Sequence, residues 1–193
     1  APSGGTITGF ADCSSACGTA IVQTLINTGT TAGVIRYTVT PTASGCAGAA
    51  FTVDVTVNPT PIGSASPQTI CSGSTTNVAL NSTVSGTTFT WTVVIQTAPS
   101  GGTITGFADC SSACGTTIAQ TLINTGTTAG VVRFTVTPTA SGCAGAAFTI
   151  DIAVNPTPIG SASSQTICSG ATTSVALNST VSGTTFTWTA VIQ

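Results

Sequence analysis

Three stretches of the chain carry a two-residue rhythm. Phe89, Trp91, Val93 and Ile95 alternate with Thr88, Thr90, Thr92 and Val94. Phe51, Val53, Val55 and Val57 alternate with Thr52, Asp54, Thr56 and Asn58, and Ile35, Tyr37 and Val39 alternate with Arg36 and Thr38. Period two, with one apolar face and one wet face, predicts half-buried strands, and the β-branched residues that fill these runs favour them. Val78 and Leu80 make a further short run. Ile21 and Leu25 suggest another, but Gln23 falls on the same face, so that strand is expected to be bulged or at an edge. Turn signals separate the runs: Gly4-Gly5, Asn27-Thr28-Gly29, Pro41 through Gly48, Ser72-Gly73-Ser74 and Ser85-Gly86. Short strands with turns at this spacing predict an all-β sandwich of six or seven strands.

The pattern then repeats. Residues 1–96 recur as residues 98–193, a period of 97 with eleven differing pairs: 20/117, 22/119, 35/132, 37/134, 53/150, 55/152, 56/153, 67/164, 74/171, 77/174 and 93/190. A fixed period signals a repeated structural unit and suits an array better than a single active site. Val57-Asn58-Pro59-Thr60-Pro61 and Val154-Asn155-Pro156-Thr157-Pro158 read as extended linkers, because proline removes ladder donors. They place the expected boundaries near Pro59 and Pro156. Residues 1–58 are then the C-terminal part of one sandwich, 59–155 a complete sandwich, and 156–193 the N-terminal part of a following one.

Composition narrows the class. Hydrophobic residues are 41% and charged residues only 3% of the 193, so a core is affordable and self-repulsion is weak. The only bases are Arg36 and Arg133, and the only acids are Asp12, Asp54, Asp109 and Asp151. A net charge of −2 offers no basic footprint for nucleic acid. No apolar run approaches the ~20 residues of a membrane span. With no leader pattern in view, the chain is expected to belong to a longer exported protein whose targeting segments lie elsewhere.

Eight cysteines fall into two sets of four: Cys13, Cys17, Cys46, Cys71 and Cys110, Cys114, Cys143, Cys168. Zinc sites need closer Cys pairs or His partners; here the close pairs are C-x3-C and there is no His. Disulfides, and hence an oxidising compartment outside the cytosol, are the better reading. Cys13–Cys17 and Cys110–Cys114 are near enough in sequence to bridge locally.

The strings TICSGSTTNVAL, GTTFTWT, TIAQTLINT and GVVRFTVTPTASGCAGAAFTIDIAVNP occur in this order across 59–155, and by repetition across the chain. Together they resemble the PKD-like, immunoglobulin-like repeats of giant secreted Bacteroidota surface proteins. Such repeats are similar to those of gliding-motility-associated adhesins and type IX secretion cargo. The resemblance implies tandem β-sandwich repeats in a long extracellular array, with no enzyme activity. The DCSSAC insert is not part of it. In an immunoglobulin-like strand order Cys71 and Cys143 lie at opposite ends of their sandwich. The expectation is therefore that Cys71 and Cys168 bond Cys143-type residues (Cys143, Cys46) of the next unit. Cys71–Cys143 within one unit and Cys114–Cys143 stay open as alternatives.

Chemistry has few candidates. With no His or Lys, acid–base work would fall mainly to the four Asp, and a nucleophilic Cys has no base. Two carboxylates per unit would suit glycoside chemistry, but solvated or paired Asp is the simpler reading. One Asp per segment is too sparse for calcium. Gly4-Gly5 lacks a phosphate-loop Lys and reads as a turn. No cofactor is expected. Tyr37 becomes Phe134 in the second copy, so packing suffices there. Asn81-Ser82-Thr83 and Asn178-Ser179-Thr180 are sequons. Arg36 and Asp54, and likewise Arg133 and Asp151, occupy outward positions symmetric about Gly45 and Gly142, where a hairpin sets opposite charges face to face.

Two functions compete. One is a structural or adhesive repeat of an extracellular filament, with other copies or neighbouring repeats as partners. The other is a carbohydrate-binding accessory module, which an exposed aromatic row would favour and a buried Trp91 would oppose. The core is expected to include Phe89, Trp91, Val93, Val131, Phe134, Phe148, Ile150 and Ile152, with Val131 off the alternation of its strand. In an array each bead would advance the axis by roughly 35–45 Å.

Overall fold

The strand Gly130–Ala140 is the spine of the protein. In the computed structural model, which describes residues 1–15, 17–112 and 114–192, its alternate residues Val132, Phe134 and Val136 are completely buried. It pairs antiparallel with Thr88–Thr97 on one side and with Phe148–Asn155 on the other. Gln68–Cys71 extends the sheet in parallel from Phe148–Asn155, and Cys143–Ala144 folds back on the end of the spine. Short ladders make the facing layer: Val78–Ala79 with Thr117–Ile118, and Ile104–Thr105 with Ile123–Asn124. Val78, Leu80, Ile104, Ile118 and Leu122 from that layer meet Phe89, Trp91, Phe134, Ile150 and Ile152 in one cluster. The chain is thus all-β, and the cluster is the filling of an immunoglobulin-like sandwich. Every buried residue of the cluster lies between Ile70 and Val154.

Two buried polar residues stitch the layers. Thr76 Oγ1 donates to Ile118 O and accepts from Gln120 N. Asn124 Nδ2 donates to Thr128 O and to Val154 O of the large sheet, while its Oδ1 accepts from Gly126 N. Pairing is what makes such groups tolerable inside.

The expected core is corrected at Val131. It is half-exposed, because Val132 takes the inward position and Val131 falls where the ladder to Thr88–Thr97 shifts register between Ile95 and Thr97. Phe148 is also only half-buried, packing against the core from its margin and against Gly63.

Residues 1–58 hold the same hairpin, Gly33–Val39 with Phe51–Val57, in the same register. Its inward face is open. Val53 and Val55 are 38% and 36% exposed, whereas their equivalents Ile150 and Ile152 are 2% and 0%. Residues 156–192 form only one short ladder, Gly160–Ala162 with Leu177–Ser179. Trp188 is 80% exposed, and the run around it forms no strand, although its equivalent Thr88–Thr97 is a ten-residue strand. The two runs differ in the described residues only at Val93/Ala190, so the neighbouring strand, not local propensity, makes the difference.

Candidate functional site

Four groups of side chains have any claim to chemistry: the ion pairs, the local disulfides, the free thiols and the aromatics. Each is set by the hairpin or by the edge of the large sheet.

The hairpin turns at Ser44-Gly45 and Ser141-Gly142, and all four residues have positive φ: 50° and 80°, then 48° and 78°. That is the two-residue turn whose twist suits paired strands. The ladder then skips one residue, since Ala43 pairs Cys46 but Val39 pairs Phe51. This bulge restores the register that sets Arg36 opposite Asp54 and Arg133 opposite Asp151. Arg36 Nε and Nη2 donate to Asp54 Oδ1 and Oδ2, both at 2.7 Å. Arg133 makes the same fork to Asp151 at 2.7 and 2.8 Å. The guanidinium hydrogen bonds hold both carboxyls below their usual range and raise both arginines. Both pairs face water, where such a pair contributes little stability and marks the register that the turn and bulge set.

Cys13–Cys17 and Cys110–Cys114 are disulfides, each with Cα atoms 5.8 Å apart. The second loop is a clamp on the edge strand Thr88–Thr97. Trp91 N donates to Cys110 O and Cys110 N to Trp91 O, both at 2.9 Å, and Cys114 N donates to Phe89 O. Asp109 Oδ1 accepts from Val93 N at 2.7 Å, and Trp91 Nε1 donates to Ala108 O. An edge strand is a template for unwanted pairing, and this loop covers it. The carboxylate of Asp109 is therefore spent on the backbone. Gln120 holds the same loop through Ala108 N and O, as Gln23 holds Ala11. That explains the polar residue that interrupts the apolar run; its only sequence signal was the interruption itself.

Cys46, Cys71, Cys143 and Cys168 are free thiols. Cys71 pairs with Asn155 at one end of the sandwich and Cys143 with Ala140 at the other. The ten residue-to-residue steps of spine from Gly130 to Ala140 span roughly 33 Å, so a bond within the unit is excluded. Cys114 is taken by Cys110, which removes the other alternative.

Trp91 is 7% exposed and belongs to the core, so it is no sugar-stacking platform. Two open surface depressions, one around Gln68 and Asn77 and one around Thr69 and Asp151, contain no aromatic residue. Among the described residues no cluster of acids and cysteines could hold a metal ion, and no helix is long and apolar enough to cross a membrane.

A sandwich whose Thr88–Thr97 edge is covered by a disulfide loop, with Arg–Asp pairs on its outer face, defines an extracellular β-sandwich module. The family model of the PKD-like domain matches residues 2–61 and 68–158, and the chain belongs to that family. PKD-like domains are generally structural modules rather than catalysts. No curated protein matches the chain.

Proposed function

We propose that the chain is a structural repeat of a bacterial extracellular filament or giant surface adhesin, of the gliding-motility-associated Bacteroidota type carried as type IX cargo. Its work is mechanical: a linear, disulfide-stabilised rod on the cell surface whose partners are neighbouring repeats or other copies. The sandwich boundaries fall at Pro59 and Pro156 in this reading. The observation that carries it is the junction at Asn58. The linker passes straight from one hairpin into the next sandwich, and Asn58 Nδ2 donates to Ser141 O in the far turn of that sandwich at 3.3 Å. A side-chain contact across a two-proline linker favours a stiff string over loosely tethered beads.

Electron microscopy of the native surface material tests this. Unbranched rods with a bead repeat of roughly 35–45 Å are expected. Isolated globules, or a glycan seated in every bead, would displace the mechanical reading.

A further inference from the structure

The open hairpin of residues 1–58 and the unpaired run around Trp188 are the two halves of one sandwich. We infer that residues 156–192 of one copy of this chain seat on residues 1–58 of a second copy, and that two interchain disulfides lock the seam. The inference rests on the linear-array reading and names the surface that joins its members.

The complete sandwich supplies the register. There Trp91 pairs with Val136, Val93 with Phe134, and Cys71 with Asn155. One period away, Trp188 meets Val39, Ala190 meets Tyr37, and Cys168 meets Asn58. The second copy offers the rest of the fit already formed. Its Cys13–Cys17 loop is closed but has no strand to clamp, and among the described residues Asp12 has no partner, where Asp109 binds Val93 N.

The differences between the two repeats carry the argument further. Four of the eleven fall in the front half of the repeat, at 67, 74, 77 and 93, and two of those, 77 and 93, lie opposite a changed residue of the back half. Val93 opposite Phe134 becomes Ala190 opposite Tyr37: the ring gains an oxygen and its neighbour loses two carbons. Asn77 lies in the ladder opposite Ala119, between the pairs Thr75–Thr121 and Val78–Ile118. There Ser174 would face Val22, again one side chain smaller and one larger. Pro67 and Ala153 line one depression, and their equivalents Ser164 and Thr56 both gain a hydroxyl. At the buried pair Val93–Phe134 a joint change is what close packing demands, and at the exposed pair Asn77–Ala119 it is what cross-strand neighbours favour. Residues 156–192 therefore match 1–58, not 98–155.

The thiols fall into place on the same seam. A seated Cys168 lies one strand spacing, about 4.8 Å, from Asn58. Asn58 touches Ser141, and Cys143 Sγ lies 4.0 Å from the same carbonyl. Cys168 of the first copy thus reaches Cys143 of the second. By the same relation one repeat earlier, Cys71 of the first copy reaches Cys46 of the second. All four free thiols are then used, each with a partner in another copy. Each bond forms from two thiols, which lose two protons and pass two electrons to a disulfide oxidant; that oxidant leaves as two thiols.

The full chain tests this. Oxidised with glutathione disulfide, it should give a ladder in multiples of 18.7 kDa on a non-reducing gel that reductant collapses to one band. Peptide mapping should find Cys168–Cys143 and Cys71–Cys46. For the seam itself, reduced Trp188→Asp and Val39→Asp chains are compared by sedimentation, with Ile35→Asp as a second acceptor variant. None of these side chains belongs to the central core, and near-ultraviolet dichroism of Trp91 checks that the core persists. Each variant alone should stay monomeric, while an equimolar mixture of Trp188→Asp with either acceptor variant should form one-to-one dimers and stop there. Self-association of Trp188→Asp would mean that two open hairpins meet face to face, and would overturn the proposal. So would mapped Cys46–Cys46 bonds, or wild-type chains that stay monomeric at every concentration. In that last case rods seen on the cell surface would leave the array reading standing and defeat only the seam between copies.

Discussion

Trp91 and Cys110 exchange both of their backbone hydrogen bonds. One residue is the aromatic anchor of the core and the other closes a four-residue disulfide step. Together they convert a bare sheet edge into a covered one, so the DCSSAC insert serves as edge protection rather than as a redox site.

Removing that staple should loosen the edge first. Closing so short a loop is worth about 2 kcal/mol in the chain-entropy account. We expect the double variant Cys110→Ser, Cys114→Ser to lower the unfolding free energy by about that amount, read as a lower urea midpoint at unchanged slope, with faster amide exchange at Trp91. The double variant Cys13→Ser, Cys17→Ser should leave the main transition where it was, since its loop clamps no strand within the same chain. Equal losses from both would mean that the clamp on Trp91 is not what the disulfide supports.

The ion pairs set a sign for pH dependence. Hydrogen bonds from Arg133 hold Asp151 below its usual range, against a smaller opposing effect of burial. A carboxyl lowered by folding adds stability above its unfolded value, about 3.9, and loses it as the pH falls through the lower folded value. Wild type should therefore exceed Asp151→Asn in melting temperature at neutral pH, and the two should converge in acid. The gap should be small and should shrink in molar salt, because the pair faces water. A gap that widens in acid would contradict the assignment.

The alternation at 89–95, 35–39 and 51–57 made the sheet legible in the sequence, because side chains in strands report burial with period two. The turn symmetry made both Arg–Asp pairings legible as well, although the tight turn and its compensating bulge were not separable by counting. Three things were hidden. Val131 looked apolar enough for the core, but the alternation that turns Val132, Phe134 and Val136 inward turns it out. Gln23 and Gln120 interrupt an apolar run for a reason visible only once the Cys loop lies beside them. The run around Trp188 has the composition of a strand and forms none, since a strand needs a neighbour that no local pattern can supply.

Asn124 should be worth more than its polarity suggests. It satisfies Val154 O inside the sandwich and tethers the Gly126 turn. Asn124→Ala leaves that carbonyl buried and unpaired, at a cost of about 1–3 kcal/mol. Asn27 makes the equivalent bonds to Thr31 O, Val57 O and Gly29 N, but beside the open hairpin. Asn27→Ala should therefore shift the urea midpoint much less than Asn124→Ala. Matching shifts would mean that water does not reach the open hairpin as its exposure implies.

The sharpest contrast is between Phe134 and Tyr37, one period apart on the same strand of the repeat. Phe134 is completely buried, so Phe134→Ala should cost about 3–5 kcal/mol through lost transfer energy and the cavity left behind. Tyr37 sits half-buried on the open face, holding Gln23 Oε1 through its hydroxyl at 2.8 Å. In dilute, reduced chain Tyr37→Ala should move the main unfolding transition much less, because the layer opposite it is incomplete: the ladder of Ile7–Thr8 with Ile26–Asn27 is there, but no strand equivalent to Thr88–Thr97 closes the edge. In the oxidised polymer the same substitution should approach the cost of Phe134→Ala, since Ala190 and Trp188 of a neighbouring copy would then cover it. Calorimetry of both variants in both states reads the difference directly. A Tyr37→Ala effect that is the same in monomer and polymer would show that no second copy closes the face.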